Sequence, residues 1–233
     1  MISIENLTYA YDRRMPVLRD FSLSFNQGGI YGLLGKNGTG KSTLLYLMTG
    51  LLCPKSGSVF VDGVPASERH PEILSRMFIV PEEYDLPPVC LSDYVRALVP
   101  FYPNFSLEVM ENCLSCFEMT SDVNLGFLSM GQKKKVYMCI ALATNTPYLL
   151  MDEPTNGLDI LSKSQFRKAI ITGMSPDRTI IISTHQVHDV EHLLDRVIIM
   201  DRNKVLLDKV ISTEEEPVNL EQLFIDTIKG ENR

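Results

Sequence analysis

The segment from Gly35 to Thr43 constrains the fold of this chain more than any other. Its sequence, GKNGTGKST, matches the phosphate-loop pattern G-x-x-x-x-G-K-[ST]. The apolar run Ile30 to Leu34 precedes it, and the helix-compatible run Leu44 to Leu52 follows it. The glycines allow backbone N–H groups to converge on an anion, and the helix start adds the positive end of its dipole. The sequence therefore predicts a strand, a polyphosphate-binding loop and a helix.

The residues of this loop have expected roles in binding a nucleotide. Lys41 is expected to reach the β- and γ-phosphates, the Ser42 hydroxyl to ligate Mg²⁺, and Thr43 to continue the helix. A chance match is the alternative interpretation, and the flanking strand and helix count against it. The predicted nucleotide-binding residues of the loop are Gly35, Lys36, Asn37, Gly38, Thr39, Gly40, Lys41, Ser42 and Thr43.

A second candidate site follows the apolar run Tyr148 to Met151, where Asp152 and Glu153 come in succession. Such a run is typical of a strand buried in a parallel sheet, and ligands of open α/β sheets bind at the carboxyl ends of the strands. Asp152 is expected to hold Mg²⁺, and Glu153 to orient or deprotonate the attacking water. An acidic pair at a strand end is common, but downstream of a phosphate loop it is informative.

Composition limits the classes of function. A chain of 233 residues, 45% hydrophobic, can form one large domain or two lobes. Its formal charge of −7 argues against a general nucleic-acid surface, and we expect no nucleic-acid partner. No apolar run approaches the roughly 20 residues that span a bilayer, and residues 1–5 do not resemble a targeting segment. We therefore expect a cytoplasmic protein.

The cysteines predict neither a disulfide framework nor a metal site. Their number is five, which is odd, and they are scattered along the chain. Cys113 and Cys116 form a C-x-x-C pair, but the sequence offers no second pair to complete a metal site. We interpret all five as reduced apolar residues.

The order of periodic segments predicts an α/β core with an inserted helical lobe. Alternating residues in Ile2 to Tyr11 and Val17 to Phe25 indicate antiparallel strands before the phosphate loop. Three helical patterns then occur between about residues 84 and 145, after which buried strands return. We expect residues 1–85 and 146–233 to form the nucleotide-binding core and residues 86–145 the helical subdomain.

Histidines after the strand Ile180 to Ser183 allow two interpretations. His188 and His192 are predicted on one helix with acidic residues nearby, so a metal cluster has to be considered. His185, however, stands at the end of the strand and not on that helical face. We expect His185 to donate a hydrogen bond to the γ-phosphate, with His188 and His192 on a solvated face.

The order of these motifs resembles that of the nucleotide-binding subunits of ABC transporters over nearly the whole chain. Gly35 to Thr43 corresponds to Walker A, and Leu149 to Glu153 to Walker B. Asn156 to Asp159 is similar to the D-loop, and Thr184 with His185 to the H-loop. Leu128 to Gln132, LSMGQ, resembles the LSGGQ signature, which other P-loop ATPases lack. The resemblance implies a P-loop NTPase core with a parallel sheet, an N-terminal antiparallel β subdomain and an inserted helical subdomain.

The resemblance also implies a head-to-tail dimer, either a homodimer or a pseudo-symmetric heterodimer, with two ATP molecules between the subunits. In the family, the signature of one copy meets the γ-phosphate bound to the other. This implies nucleotide contacts for Ser129, Gly131, Gln132 and Asp159, and adenine stacking for Tyr11. Without the resemblance, Tyr11 is better interpreted as a core or surface tyrosine, although its ring can stack on a purine.

The signature segment has a simpler structural interpretation as well. Ser129 can cap the helix Met130 to Thr144, so that the hydroxyl and the positive helix end face a phosphate. The Ser129-x-x-Gln132 spacing also fits a capping box, in which the two side chains serve only the helix end. Both arrangements can hold at different stages of a cycle.

Two residues depart from the family pattern. Met130 replaces the first glycine of the GG pair, which places a side chain where the nucleotide of a partner approaches. Glu82, or Glu83 if the position is shifted by one, stands where the family usually has the Q-loop glutamine. A carboxylate can still ligate Mg²⁺, but it adds negative charge near the γ-phosphate. The expected metal ligands are therefore Ser42, Glu82 and Asp152.

The leading hypothesis is an ATPase subunit that powers an ABC transporter, with Glu153, His185 and Lys41 as catalytic residues and ATP and Mg²⁺ as ligands. It implies an integral membrane permease as partner, docked around Glu82 to Tyr94, and a position on the inner face of the membrane. The short helical lobe and the residues Asn219 to Phe224 are most similar to the subfamily with separate ABC-2-type permeases, often exporters.

Two alternatives remain at this point. The first is a soluble ABC ATPase of repair, translation or cofactor assembly, although this chain lacks the coiled coils, tandem cassettes and cysteine sets common in such proteins. Its basic run Lys133 to Lys135 is a possible nucleic-acid contact, but the acidic balance favours a solvated helix face. The second is a nucleotide-sensing regulator with little hydrolysis, which only Glu82 and Met130 favour.

Overall fold

The computed structural model describes residues 1–12, 15–201, 203–211 and 219–230, which form ten strands and seven α-helices. The strands are β1 (Ile2–Tyr9), β2 (Leu18–Phe25), β3 (Gly29–Leu34), β4 (Ser56–Val61), β5 (Val64–Pro65), β6 (Met77–Val80), β7 (Tyr148–Asp152), β8 (Thr179–Thr184), β9 (Arg196–Asp201) and β10 (Lys204–Val210). The helices are α1 (Lys41–Met48), α2 (Pro71–Leu74), α3 (Leu91–Leu98), α4 (Leu107–Cys116), α5 (Met130–Ala143), α6 (Ile160–Thr172) and α7 (Leu220–Gly230). The acidic loop predicted at Glu214 to Glu216 lies outside the described residues.

The smaller sheet is antiparallel and has the strand order β2-β1-β4-β5. Its first strand buries Ile2 and Ile4 and then, out of phase, Leu7 and Tyr9. The register of the β1–β2 pair shifts between Ile4 and Leu7, and Asn6 between them has a positive φ of 49°. A bulge of this kind explains why both halves of an interrupted alternation face the same core.

The larger sheet has six strands in the order β10-β9-β3-β8-β7-β6. Its pairs are parallel except that β10 runs antiparallel to β9, as the apolar runs Val197 to Met200 and Lys204 to Leu207 predict. The predicted α/β class, with a parallel sheet and an N-terminal antiparallel sheet, is confirmed.

The strand order determines which loops meet. Strand β8 lies between β3 and β7, with Thr184 opposite Leu34 and Ser183 opposite Asp152. The segments that follow these three strands therefore emerge side by side at the carboxyl edge of the sheet. This edge brings the phosphate loop, Glu153 and His185 together.

Two helices end earlier than their apolar runs predict. Helix α1 ends at Met48 and not at Leu52, because the chain turns at Gly50, where φ is +66°. The helical pattern Leu107 to Met119 likewise predicts a longer helix than α4, which ends at Cys116, and Glu118 just beyond it has a positive φ of 56°. Residues in the left-handed region terminate helices, and the apolar residues beyond them pack as loop.

The helices α3, α4 and α5 follow one another between residues 91 and 143. Buried residues of α4, such as Cys113 and Leu114, belong to the same apolar cluster as Met151 of β7 and Ile182 of β8. Helix α5 is buried along its second half, from Val136 to Ala143, apart from the half-buried Tyr137. The helical segment thus rests on one face of the parallel sheet.

Arg178 joins the ends of two of these helices from within the core. Its side chain is only 1% exposed. The guanidinium donates to the carbonyls of Ala141 and Leu142 near the end of α5, at 3.1 and 2.8 Å, and of Gly173 after α6, at 2.7 Å. Burial lowers the pKa of Arg178 to about 10. A single cation thus satisfies carbonyls that helix ends leave without an intrahelical donor.

We expect Arg178→Met to lower the free energy of unfolding by about 2–4 kcal/mol, because it removes three hydrogen bonds of a buried cation to backbone carbonyls. Chemical denaturation of the purified chain measures this change. Arg96→Met is the matched control, since Arg96 is an exposed α3 residue whose partner is Asp93, and its effect should stay within about 0.5 kcal/mol. Equal unfolding midpoints for the two variants would show that the Arg178 contacts contribute little.

Candidate functional site

The phosphate loop leaves backbone donors free for an anion. Gly38 and Gly40 have positive φ values of 81° and 96°, and Gly40 is the N-cap of α1 without a side-chain acceptor. A Cβ at Gly35 would lie 2.7 Å from both the Met200 carbonyl oxygen and Thr39 Oγ1, so only glycine fits there. The first N–H groups of α1 have no side-chain cap from this position, which fits a polyphosphate ligand.

Lys41 lies inside the loop and not in solvent. Its side chain is 5% exposed, and its ammonium donates to the carbonyl oxygens of Gly35 and Lys36, at 2.8 and 3.2 Å. The ammonium also lies 3.4 Å from Glu153 Oε1. The structure therefore brings together the predicted phosphate-binding lysine and the predicted catalytic carboxylate.

Glu153 is held in place by its neighbours after β7 and β8. Its backbone has a positive φ of 45°, a conformation that costs a residue with a side chain about 1–3 kcal/mol. Its Oε1 lies 2.9 Å from His185 Nδ1, and its Oε2 accepts from Thr184 Oγ1 at 3.0 Å. The strained turn and these contacts fix the carboxylate beside Lys41, as a general base requires.

Asp152 offers oxygen ligands next to Ser42. Burial raises the pKa of Asp152, while hydrogen bonds from Ser183 and Ser42 act in the opposite direction. The charges of Glu153 and Glu82 add to the increase. A hydroxyl and a carboxylate in contact form part of the oxygen set that Mg²⁺ prefers, so the residues present fit this ion.

A cavity of about 330 Å³ opens over the phosphate loop. It collects residues from four predicted motifs, together with Tyr11 and Glu82. Its lining consists of Tyr11, Val17, Asn37, Gly38, Gly40, Lys41, Ser42, Thr43, Glu82, Glu153, Asn156 and His185. Asn156 was predicted only as part of the D-loop and not as a site residue, although its position three residues after Glu153 is the signal that could have identified it.

Tyr11 lies on the rim of this cavity. Its ring is 65% exposed, and its edge-to-face contact with Tyr9 has a centroid distance of 5.1 Å. Its hydroxyl lies 3.2 Å from Thr43 Oγ1. The ring is therefore anchored at its hydroxyl and open to solvent, which is compatible with the predicted stacking on a purine.

Of the two adjacent glutamates, Glu82 is the one that lines the cavity over the phosphate loop. Its Oε1 accepts a hydrogen bond from Asn156 Nδ2 at 2.9 Å. Glu83 instead lines a neighbouring cavity of about 660 Å³, together with Met130, Gly131 and other residues, Glu82 among them. The geometry thus favours Glu82 as the residue at the Q-loop position.

The signature residues do not line the cavity over the phosphate loop of their own chain. Ser129 Oγ accepts from Gln132 N at 3.3 Å, and Gln132 Oε1 accepts from Ser129 N at 3.0 Å, which is a complete capping box. The Met130 side chain is 72% exposed. Asp159 caps α6, and hydrogen bonds from Ser162 lower the pKa of its carboxyl. Within one chain, therefore, these residues do not line the cavity that contains Lys41 and Glu153.

The prediction of one solvated face for Lys133 to Lys135 is wrong for Lys134. Its ammonium donates to the carbonyl oxygens of Glu153 and Asn156, at 3.1 and 2.7 Å. Burial lowers the pKa of Lys134, while the charges of Glu82, Glu153 and Asp152 oppose this effect. The ammonium of Lys135 lies over the Phe117 ring. Consecutive helical residues point about 100° apart, so three lysines in a row cannot share one face.

The single helix predicted for His188 and His192 is also wrong. The structure has two short 3-10 turns there, Val187–Asp189 and Glu191–Leu193, separated by Val190. Both histidines are exposed, as predicted. Among the described residues, no group of three or more His, Cys, Asp or Glu could hold a metal ion.

No helix of the described residues is long and apolar enough to cross a membrane. Burial raises the pKa of the Cys113 thiol to about 12.

Known proteins resemble the chain along its whole length. A sequence model described as "ABC transporter" matches residues 18–156. The lantibiotic transport ATP-binding protein SrtF of Streptococcus pyogenes is 32% identical over 250 aligned residues, which cover 100% of both chains. A solved ATP-binding subunit of an ABC transporter superposes with a TM-score of 0.84, at 22% identity and with coverage of 98% of this chain and 99% of the other. A dimeric bacterial ABC transporter cassette gives a TM-score of 0.76 at 23% identity, covering 91% and 99% of the two chains.

Proposed function

The chain belongs to the ABC transporter ATP-binding family, and from this premise we propose how its site binds and hydrolyses ATP. Its activity is ATP hydrolysis, and its function is that of the ATP-binding subunit of an ABC transporter. One observation carries the mechanism: Lys41, Glu153 and His185 lie in contact around a single cavity over the phosphate loop.

In the proposed reaction the loop and Lys41 hold the β- and γ-phosphates of ATP, while Glu153 orients the attacking water and accepts its proton. His185 already contacts Glu153 through Nδ1, so a doubly protonated ring can donate from its other nitrogen to the γ-phosphate. Phosphoryl transfer needs mainly positioning and charge stabilisation, which these fixed groups supply. When bound, Mg²⁺ supplies positive charge to the phosphate oxygens; its proposed holders are Ser42, Asp152 and Glu82.

We propose that two subunits close head to tail over two ATP molecules. The signature residues Ser129, Gly131 and Gln132 lie outside the cavity that contains Lys41, so a second copy is needed to bring them to a γ-phosphate. Met130, which is exposed, then faces the partner, and the Ser129 hydroxyl exchanges its capping bond for a phosphate contact. The partner is either identical or a related chain, and the dimeric cassette with the same fold supports this arrangement.

The permease is proposed to dock in an apolar groove of about 590 Å³ between the core and the helical segment. Its walls include Met77 and Ile79 of β6, Leu98 of α3, and the 68% exposed Phe101. The groove adjoins Tyr94, within the segment predicted from sequence to receive the permease. In this arrangement residues 86–145 act as one helical subdomain on a core of 1–85 and 146–233, and the protein is peripheral on the inner face of the membrane.

Transport is favoured over the soluble alternative by the relatives, because SrtF is named as a lantibiotic transport protein. A lantibiotic is a candidate cargo on that analogy, although substrate recognition would lie in the membrane partner. The regulator hypothesis predicts almost no turnover in the intact complex, which an assay of the purified complex measures directly.

The test of this proposal is affinity purification of the tagged chain from detergent-solubilised membranes of its native host. We expect a polytopic membrane protein to co-purify with the chain, and Phe101→Arg to abolish this association by placing a charge in the groove. Ile171→Arg is the control, because Ile171 is exposed on α6 and does not line the groove. Absence of any membrane partner from the unmodified chain would favour the soluble alternative.

A further inference from the structure

Lys134 contacts the turn that carries the proposed catalytic carboxylate. It projects from the first turns of α5, and its ammonium donates to the backbone carbonyls of Glu153 and Asn156. The Glu153 backbone is in the left-handed region, so the turn needs support from outside the sheet. Lys134 gives this support from α5, the helix that begins within the signature segment.

Asn156 extends these contacts to Glu82. While its carbonyl accepts from Lys134 at 2.7 Å, its side-chain nitrogen donates to Glu82 Oε1 at 2.9 Å. Lys134 and Glu82 also line the same cavity of about 660 Å³. Two hydrogen bonds therefore connect a cation on α5 to an anion beside the phosphate loop, through a single residue.

The charges around the turn explain why such a connection is needed. Asp152 and Glu153 are adjacent in sequence, and Glu82 lines the cavity over the phosphate loop together with Glu153. Lys41 and His185 contact Glu153 from the side of the phosphate loop. Lys134 instead contacts the backbone carbonyls of Glu153 and Asn156, and it lines the same cavity as Glu82.

We propose that Lys134 is a positioning residue for ATP hydrolysis, which fixes the turn from Glu153 to Asn156 and balances the negative charge of Glu82. The proposal rests on the proposed function, because the reaction that it affects is hydrolysis at Glu153. It predicts that the carboxylate at position 82 and the lysine at position 134 depend on each other.

The test is a double-mutant cycle of Lys134→Gln with Glu82→Gln, read by steady-state ATP turnover and by equilibrium binding of MgATP. In the unmodified background we expect Lys134→Gln to lower kcat about tenfold or more, with KM for ATP changed less than about threefold. In the E82Q background the same substitution should lower kcat by no more than about threefold, because the unbalanced charge is gone. Lys134→Arg, which keeps the charge and the donors, should retain most of kcat.

The control is Lys168→Gln on α6, which should leave kcat unchanged, because Lys168 is exposed, lines neither cavity of the site and has no side-chain hydrogen bond or ion pair among the described residues. Equal losses of kcat from K134Q in both backgrounds, or no loss in either, would overturn the proposal.

If K134Q does not fold, Asn156→Ala takes its place in the cycle, because it removes the hydrogen bond to Glu82. The losses of kcat in the two backgrounds are then compared in the same way. If the unmodified chain does not hydrolyse ATP, the proposed function fails first, while the coupling can still be measured by MgATP binding.

Discussion

Glu153→Gln is expected to lower ATP turnover by at least about a hundredfold and to leave ATP binding nearly unchanged. The amide keeps the size of the side chain and one acceptor for Thr184, but it cannot take a proton from water. Because hydrolysis normally reopens the proposed dimer, the variant should accumulate as an ATP-bound dimer. Phosphate release measures turnover, and gel filtration with and without MgATP measures the dimer.

The matched control for this experiment is Glu111→Gln, an exposed glutamate on α4 that is far from the phosphate loop in sequence and lines neither cavity of the site. It should turn over ATP at the unmodified rate and remain monomeric after ATP is consumed. Retention of more than about half of the turnover by E153Q would remove Glu153 from the mechanism and transfer the role of base to another group in the cavity.

Much of the site could be predicted from sequence because it depends on local signals and one rule of topology. The glycine pattern before Lys41 defines a loop that binds phosphates, and the apolar run before Asp152 defines a buried strand. Parallel strands present their carboxyl ends at one edge, so these segments and His185 were expected to meet. The structure places Lys41, Glu153 and His185 around one cavity.

The remaining features depend on tertiary packing that no local pattern reports. The two roles of Asn156 arise because α5 and the loop after β6 both pack against the turn after β7. Val190 separates the two short turns of residues 187–189 and 191–193. Asp189, the last residue of the first turn, is buried and forms an ion pair with Lys163 of α6. The four-residue spacing of His188 and His192 cannot reveal this ion pair, because its other member lies on α6, a separate part of the chain.

Lys41→Ala is expected to weaken MgATP binding by roughly a hundredfold or more, since it removes a nearly buried cation from the phosphate site. The ammonium is held by the carbonyls of Gly35 and Lys36 and by Glu153, so it is ordered before ATP arrives. Little ordering entropy is then lost on binding, and most of its attraction to phosphate contributes to affinity. Titration with a fluorescent ATP analogue measures the change.

Lys41→Arg separates charge from geometry at the same position. The guanidinium is wider than an ammonium, and the side chain at this position is 5% exposed between two loop carbonyls. We therefore expect affinity for MgATP to fall as it does in the alanine variant.

The control is Lys209→Ala, because Lys209 is an exposed residue of β10. This variant should bind MgATP as tightly as the unmodified chain does. Full affinity in K41A would mean that the Lys41 ammonium contributes nothing to binding of the phosphates, which the backbone N–H groups of the loop would then hold by themselves. Full affinity in K41R but not in K41A would instead show that positive charge alone suffices, and that the carbonyl contacts of Lys41 serve the loop and not the ligand.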